Sequence, residues 1–391
     1  MNRYFKTRSK EEITLLDIMF FVWLTSEFLF LHTKIAQVTL LGFAGASFLD
    51  MVFIRKKMNL SYLYVFYGAF CVVAYLTTAL GYSIDPESSG GFMRTLLINA
   101  VFIVAAYNYF VRTSFEKAKR LLIWCALASS IALTFMNFAE TGSIFFRGSK
   151  GGYNPNSMAV FISYILSLIF CTTPQKTKWH WICIAILIAV CILASTRKAP
   201  LVIAIVILAY YCFKYPQKLP KYVLIFTLVA IVAYWLLINI SFLYDSFGNR
   251  IESLINFLQG LEGDGSVESR SAYIELGMEY FKKSPLLGNG VYTFQTLDGS
   301  YNTYSHNNYV ELLYSVGLIG TISYYFTHLI TLIKGFFRYA LNQDLLACVS
   351  FAFLVAYLVT DYALVTYYDR HSLIILVFAI AMLSNKRERE L

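Results

Sequence analysis

A histidine placed where a long polar stretch re-enters an apolar run can do acid–base chemistry. His306 stands at such a point, in Ser305-His306-Asn307-Asn308-Tyr309-Val310-Glu311. An imidazole titrates near neutral pH and can take a proton from a hydroxyl. Asn307 and Asn308 have the chemistry to cap an incoming helix, and Glu311 follows one turn later, placed either to orient His306 or to cap the helix. Cations supply the other half of a reaction. Arg147 and Lys150, Arg197 and Lys198, and Arg270 stand in connections where the insertion bias disfavours positive charge, so together they point to an anionic ligand. The planar fork of arginine fits phosphate oxygens and stays charged in a half-dry site. Each group also has a plainer explanation, since a lone histidine at a helix start is commonly a cap and arginines snorkel to lipid headgroups. His32, His180, His328 and His371 lack any such context and read as structural.

The remaining sequence says what must position these groups. Of the 391 residues 58% are hydrophobic and only 14% are charged, with a mean hydropathy of +0.59. A soluble domain is about a quarter charged, so this chain has too little polar surface to be one. It reads as an all-α, polytopic membrane protein. The net charge of +9 does not indicate a nucleic-acid partner, because the basic residues fall in short clusters between apolar runs. The seven cysteines all lie inside apolar runs, irregularly spaced and with no CxxC, and read as small packing residues. The N-terminal MNRYFKTRSKEE is charged, and the apolar run after it is too long for a cleaved signal.

A helix needs about 20 apolar residues to cross a bilayer. The sequence offers about twelve such runs, at 13–31, 35–54, 60–80, 93–112, 120–140, 157–173, 181–196, 199–213, 222–241, 309–333, 344–364 and 369–385. With both termini cytoplasmic, 21 of the 32 lysines and arginines fall on the inner side, as the positive-inside rule requires. The expected organisation is nine spans in 1–241, an extracytoplasmic loop over 242–308, and three spans with a cytoplasmic tail in 309–391. In the loop, Phe247, Ile251, Leu254, Ile255 and Leu258 recur at helical spacing, which predicts an amphipathic helix. EGDGS at 262–266 reads as a break, and 267–283 as a second helix stopped by Pro285. On that helix Arg270 is expected to share a face with Ile274, Gly277 and Phe281. Gly317 and Gly320 are expected to let the re-entering helix pack closely against a neighbour.

At this level of detail the motifs resemble those of the O-antigen ligase and O-antigen polymerase superfamily. PLLGNGVYTF (285–294) followed by SHNNYVELLYSVGLIG (305–320) is similar to its Pro-Leu-x-Gly-x-Gly segment, histidine motif and Gly-x-x-Gly helix. STRKAP (195–200) resembles its Ser-x-Arg element, SRSAYIELGMEYFKKSPLLG its arginine-bearing helix, and GYNPNSMA (152–159) an Asn-Pro-Asn element seen in many polymerases. The resemblance implies a GT-C-type, metal-independent glycosyltransferase without a cofactor, in the bacterial cytoplasmic membrane, with its active site facing the periplasm. Donor and acceptor would both be undecaprenyl-pyrophosphate-linked oligosaccharides, and a chain-length regulator and a flippase would be its partners. Carried over onto this chain, His306 would be the general base, with Glu311 in support. Arg197 and Arg270, with Arg147 as a weaker third, would hold the pyrophosphate; Asn307, Tyr304 and Tyr309 would meet the acceptor sugar. Where members often carry a glutamate two residues before the first glycine of the terminal motif, this chain has Ser315. That departure and the Asn-Pro-Asn element favour a polysaccharide polymerase over a ligase that uses a lipid A core acceptor. A twelve-helix transporter or flippase is disfavoured, because two-fold-repeat transporters carry their longest loop near mid-chain between matching halves.

Overall fold

The computed structural model describes residues 12–384 apart from 32, 144–154, 195, 197, 242–243, 245–247 and 260–264. His32, Arg147, Lys150 and Arg197 lie outside the described residues. Among those described there are fourteen α-helices and no strand: α1 (Leu15–Leu29), α2 (Lys34–Leu49, extended by a π turn at Asp50–Ile54), α3 (Tyr62–Ala79), α4 (Pro86–Arg112), α5 (Phe115–Thr141), α6 (Pro155–Thr172), α7 (Lys178–Leu193), α8 (Lys198–Lys214), α9 (Leu219–Asn239), α10 (Asn249–Leu258), α11 (Gly265–Lys283), α12 (Asn308–Asn342), α13 (Leu345–Asp361) and α14 (Arg370–Ser384). Each of the twelve apolar runs coincides with one of these helices, and the long loop adds α10 and α11. Six of the described helices, α2 to α5, α9 and α12, are long and apolar enough to cross a membrane. At 16 and 17 residues, α7 and α8 rise about 24–26 Å, short of the roughly 30 Å hydrocarbon layer.

Local chemistry fixes the helix ends. A capping box opens α1, with the Thr14 N–H donating to Asp17 Oδ2 at 2.7 Å. Asp85 caps α4 by accepting from the Ser88 N–H at 3.0 Å, with Pro86 in the first turn. Ser114 caps α5, which ends on Gly142 in the left-handed conformation. Packing then builds one core in which α12 lies against α3 and α13, and α8 against α6 and α13. The side chains of α14 are buried from His371 to Leu383. By contrast α9 buries no residue and packs mainly against α8 and the turn before it. Ion pairs brace one end of the bundle: Asp17 with Lys117 at 2.6 Å, Asp50 with Arg112 at 2.6 Å, and Arg338 with Asp344. Toward the opposite end Glu27 pairs with Arg370 at 2.9 Å, where the α3–α4 and α13–α14 turns, the start of α8 and the chain entering α12 meet.

The re-entering helix departs from expectation. Gly317 does more than permit close packing: it breaks α12, with φ 62° and ψ −165°. A broken helix leaves backbone groups without partners, which inside a bundle must be met by protein. Residues 285–290 meet them. Asn289 and Gly290 N–H donate to Tyr314 O and Ser315 O at 2.8 and 3.0 Å, while Leu318 and Ile319 N–H donate to Pro285 O and Leu286 O at 2.8 and 3.3 Å. The two backbones lie so close that a Cβ on Gly288 would fall 2.5 Å from Ser315 C and Val316 N. A Cβ on Gly317 would strike the Leu286 carbonyl. The Pro-Leu-Leu-Gly segment is thus an inserted brace that seats the start of α12.

Candidate active site

The site is assembled on this brace. After it the chain turns back through a 3-10 turn at Phe294–Thr296, where Phe294 and Leu297 pack with Tyr273 and Tyr314 into a small satellite core. The face of α11 that docks there runs through Tyr273, Leu276, Gly277 and Tyr280. It is therefore rotated from the expected Ile274–Gly277–Phe281 stripe, because the aromatic pocket of the loop receives it. Arg270 precedes Tyr273 by one turn and so lies on the side of α11 that faces the histidine loop.

His306 occupies the left-handed region with φ 57°. Its ring lies 4.2 Å from that of Tyr304 and 6.2 Å from that of Tyr273, centroid to centroid. Nε2 is 3.5 Å from Thr303 Oγ1. The neighbouring backbone is held tightly: Ser305 Oγ donates to Asn307 O at 2.9 Å, and Asn307 Oδ1 caps α12 by accepting from Tyr309 and Val310 N–H at 3.0 and 3.2 Å. Glu311 is 2% exposed and its Oε2 accepts the Ser305 N–H at 2.9 Å. Its carboxylate therefore grips the residue before His306; among the described residues no hydrogen bond or ion pair joins it to the imidazole. Six non-glycine residues have positive φ among those described, and four of them, Tyr292, Tyr301, Asn302 and His306, fall in this loop. At about 1 kcal/mol each, such strain persists where surrounding contacts over-determine it and is typical of functional sites.

Burial, then the charges of Arg270 and Lys198, push the His306 imidazole down to about 4. The ring is therefore neutral near pH 7 and has a lone pair to accept a proton. An anion seated between the two cations would cancel their repulsion of imidazolium, raising the basicity of His306 when its ligand is bound. Lys198 is the residue that sequence reasoning noted only as an external cation. It opens α8, is half-buried, and donates from Nζ to Ala363 O at 2.6 Å. Its place beside Arg197 in a short connection between two apolar runs was the available signal. The Tyr304 hydroxyl is raised by burial and by Asp369, with Arg270 acting the other way.

The structure thus brings His306, Arg270, Tyr304, Asn307 and Glu311 into one cluster and adds Lys198 to it. Tyr309 turns toward α13 instead: its hydroxyl donates to Leu358 O at 2.7 Å and its ring stacks on Tyr325 at 5.0 Å. Aromatic faces remain available beside the cluster, with Tyr301 84% exposed and Tyr292, stacked on Phe92 at 4.5 Å, partly so. Among the described residues no three His, Cys, Asp or Glu side chains gather as a metal site needs. A neutral imidazole, fixed positive charge and aromatic platforms can deprotonate a hydroxyl while stabilising an anionic leaving group. No curated protein matches the chain. Residues 182–325, from within α7 to the middle of α12, match the family described as O-Antigen ligase. The stretch that carries the whole cluster is accordingly similar to the glycosyltransferase-like enzymes of the O-antigen ligase and polymerase superfamily, which act on lipid-linked sugars, and the match does not separate ligase from polymerase.

Proposed function

We propose that this protein is a polysaccharide polymerase. It transfers a growing glycan from undecaprenyl pyrophosphate to a sugar hydroxyl of an incoming lipid-linked repeat unit, at the outer face of a bacterial cytoplasmic membrane. The convergence of His306 with Arg270 and Lys198 carries this reading. His306 accepts the proton of the acceptor hydroxyl as that oxygen attacks the anomeric carbon. The bond from that carbon to the pyrophosphate oxygen breaks, and the departing diphosphate takes up the bonding pair. Arg270 and Lys198, with Arg197 as a further cation, neutralise it as it leaves. Tyr304 and the exposed Tyr301 offer faces on which sugar rings can stack, and Glu311 keeps the loop backbone in register.

The Asn-Pro-Asn element and the serine at position 315 support polymerase over ligase. Purified protein given lipid-linked repeat units alone is expected to produce a ladder of lengthening chains. No ladder without added lipid A core, and transfer once it is added, would mean a ligase.

A further inference from the structure

The turn between α13 and α14, residues 362–369, ties together helices distant in sequence. Ala363 O accepts from Lys198 Nζ at 2.6 Å, Tyr368 O from Asn99 Nδ2 at 2.8 Å and Tyr367 O from the Tyr67 hydroxyl at 3.3 Å. One side chain takes two of its amides: Thr366 and Tyr367 N–H donate to Asn308 Oδ1 at 2.9 and 3.2 Å. The other end of Asn308 donates from Nδ2 to the Tyr325 hydroxyl at 2.9 Å and to Asp361 Oδ2 at 3.2 Å. Asp361 also accepts from Tyr325 at 2.8 Å and from Thr366 Oγ1 at 2.6 Å. Asn308 and Asp361 are both 0% exposed, and among the described residues no lysine or arginine pairs with this carboxylate.

A buried carboxylate without a counter-charge is costly unless hydrogen bonds satisfy it, and removing one bond from such a network is correspondingly destabilising. Asn308 lies two residues after His306, while Lys198 opens a helix 108 residues earlier. The route from one to the other runs from Asn308 through the two hydrogen bonds it accepts from the turn, and from Ala363 O to Lys198. We propose that Asn308 and Asp361 are positioning residues, an amide–carboxylate clamp that locks the α13–α14 turn onto the start of α12 and so sets the separation of Lys198 from His306. The functional consequence rests on His306 acting as base; the clamp itself rests on geometry alone.

The hydrogen-bond inventory supplies the test. Asn308→Asp sets two carboxylates against each other, and Asp361→Asn leaves one acceptor oxygen for three donors. In the double variant, Asp at 308 still accepts both turn amides and the donation of Asn at 361, whose carbonyl still accepts from Thr366. Two readouts are needed. In transfer assays each single variant is expected to lose about 100-fold in kcat, the scale of an ångström-level misplacement, with KM changed less and the double variant within about 5-fold of wild type. Without substrate, the pH midpoint for carbethoxylation of His306 by diethylpyrocarbonate, read by mass spectrometry, reports the cations around the ring. Those facing it are Arg270 from α11 and Lys198 from α8, with the tyrosines Tyr273 and Tyr304 in ring contact and the Glu311 carboxylate engaged on the Ser305 amide. Release of Lys198 is expected to raise the midpoint by about one pH unit in the single variants, and the exchange is expected to restore it. A midpoint unmoved in folded single variants, or one that the double variant fails to restore, overturns the clamp. A midpoint that moves and is restored in a protein whose wild type transfers no glycan upholds the clamp and removes the base assignment.

Discussion

Replacement of Gly288 by alanine tests the inserted brace most directly. The new Cβ would meet Ser315 C and Val316 N at 2.5 Å and Gly317 N at 2.6 Å, all backbone atoms of a helix break with no rotamer to change. Residues 285–290 must then move away, loosening the four backbone hydrogen bonds that span the break. At about 1 kcal/mol net for each bond, and about 1 kcal/mol for an alanine at φ +76°, the loss is about 5 kcal/mol. That is a large part of a typical folding free energy. Gly299 is the control: it also has positive φ, at +87°, yet its nearest neighbour is Leu276 Cδ2 at 3.9 Å, so Gly299→Ala carries the conformational cost alone, about 1 kcal/mol. For a chain of this size each kcal/mol moves the midpoint by roughly 1–2 °C. Thermal unfolding in detergent is expected to place Gly288→Ala about 5 °C or more below Gly299→Ala. Equal midpoints for the two would refute the argument that backbone contact, and not backbone conformation, requires glycine at 288.

Other outcomes follow from the cluster. His306→Ala is expected to reduce polymer formation by about 100-fold or more while the protein still accumulates in the membrane; wild-type ladders would exclude it as base. Arg270→Lys is expected to lose about 10-fold, because a point charge cannot bridge two phosphate oxygens, and near-normal activity would mark a lipid contact. The acid limb of kcat/KM belongs to the free enzyme. With His306 depressed to about 4, transfer is expected to rise with pH through that value and to be level by neutrality. Lys198→Met, by removing a charge that opposes imidazolium, is expected to move this limb to higher pH, and a limb that stays or falls would contradict the placement of Lys198.

Much of this architecture was legible because composition and periodicity act locally. A run such as 93–112 has few places to go except across a bilayer, and Pro285 ends α11 for steric reasons that the sequence displays. Asn307 was legible as a cap for the same reason. What escaped depended on distant pairings. Gly317 reads as a packing residue, and only its contact with Leu286 reveals that it also breaks α12. Asn308 reads as a second cap, yet its partners are Asp361 and the amides of Thr366 and Tyr367, more than 50 residues away. Tyr309 follows the histidine motif as a sugar-binding residue would, but its hydroxyl reaches Leu358. Lys198 was visible as a misplaced charge, and only the fold brings that charge close enough to act on His306.

The brace also constrains how such a protein can change over generations. Its two halves, at 285–290 and 314–319, complete each other's backbone hydrogen bonds, so neither is a self-sufficient unit of inheritance. A hybrid gene whose crossover falls between them joins one parent's insert to another parent's broken helix, with side-chain volumes never selected to fit. Crossovers before 285 or after 319 leave the ladder intact. Exchange of specificity between relatives should therefore travel in cassettes that keep this stretch whole and matched to Thr77 and Ile84, which bond to it, while the peripheral α9 is free to diverge around it.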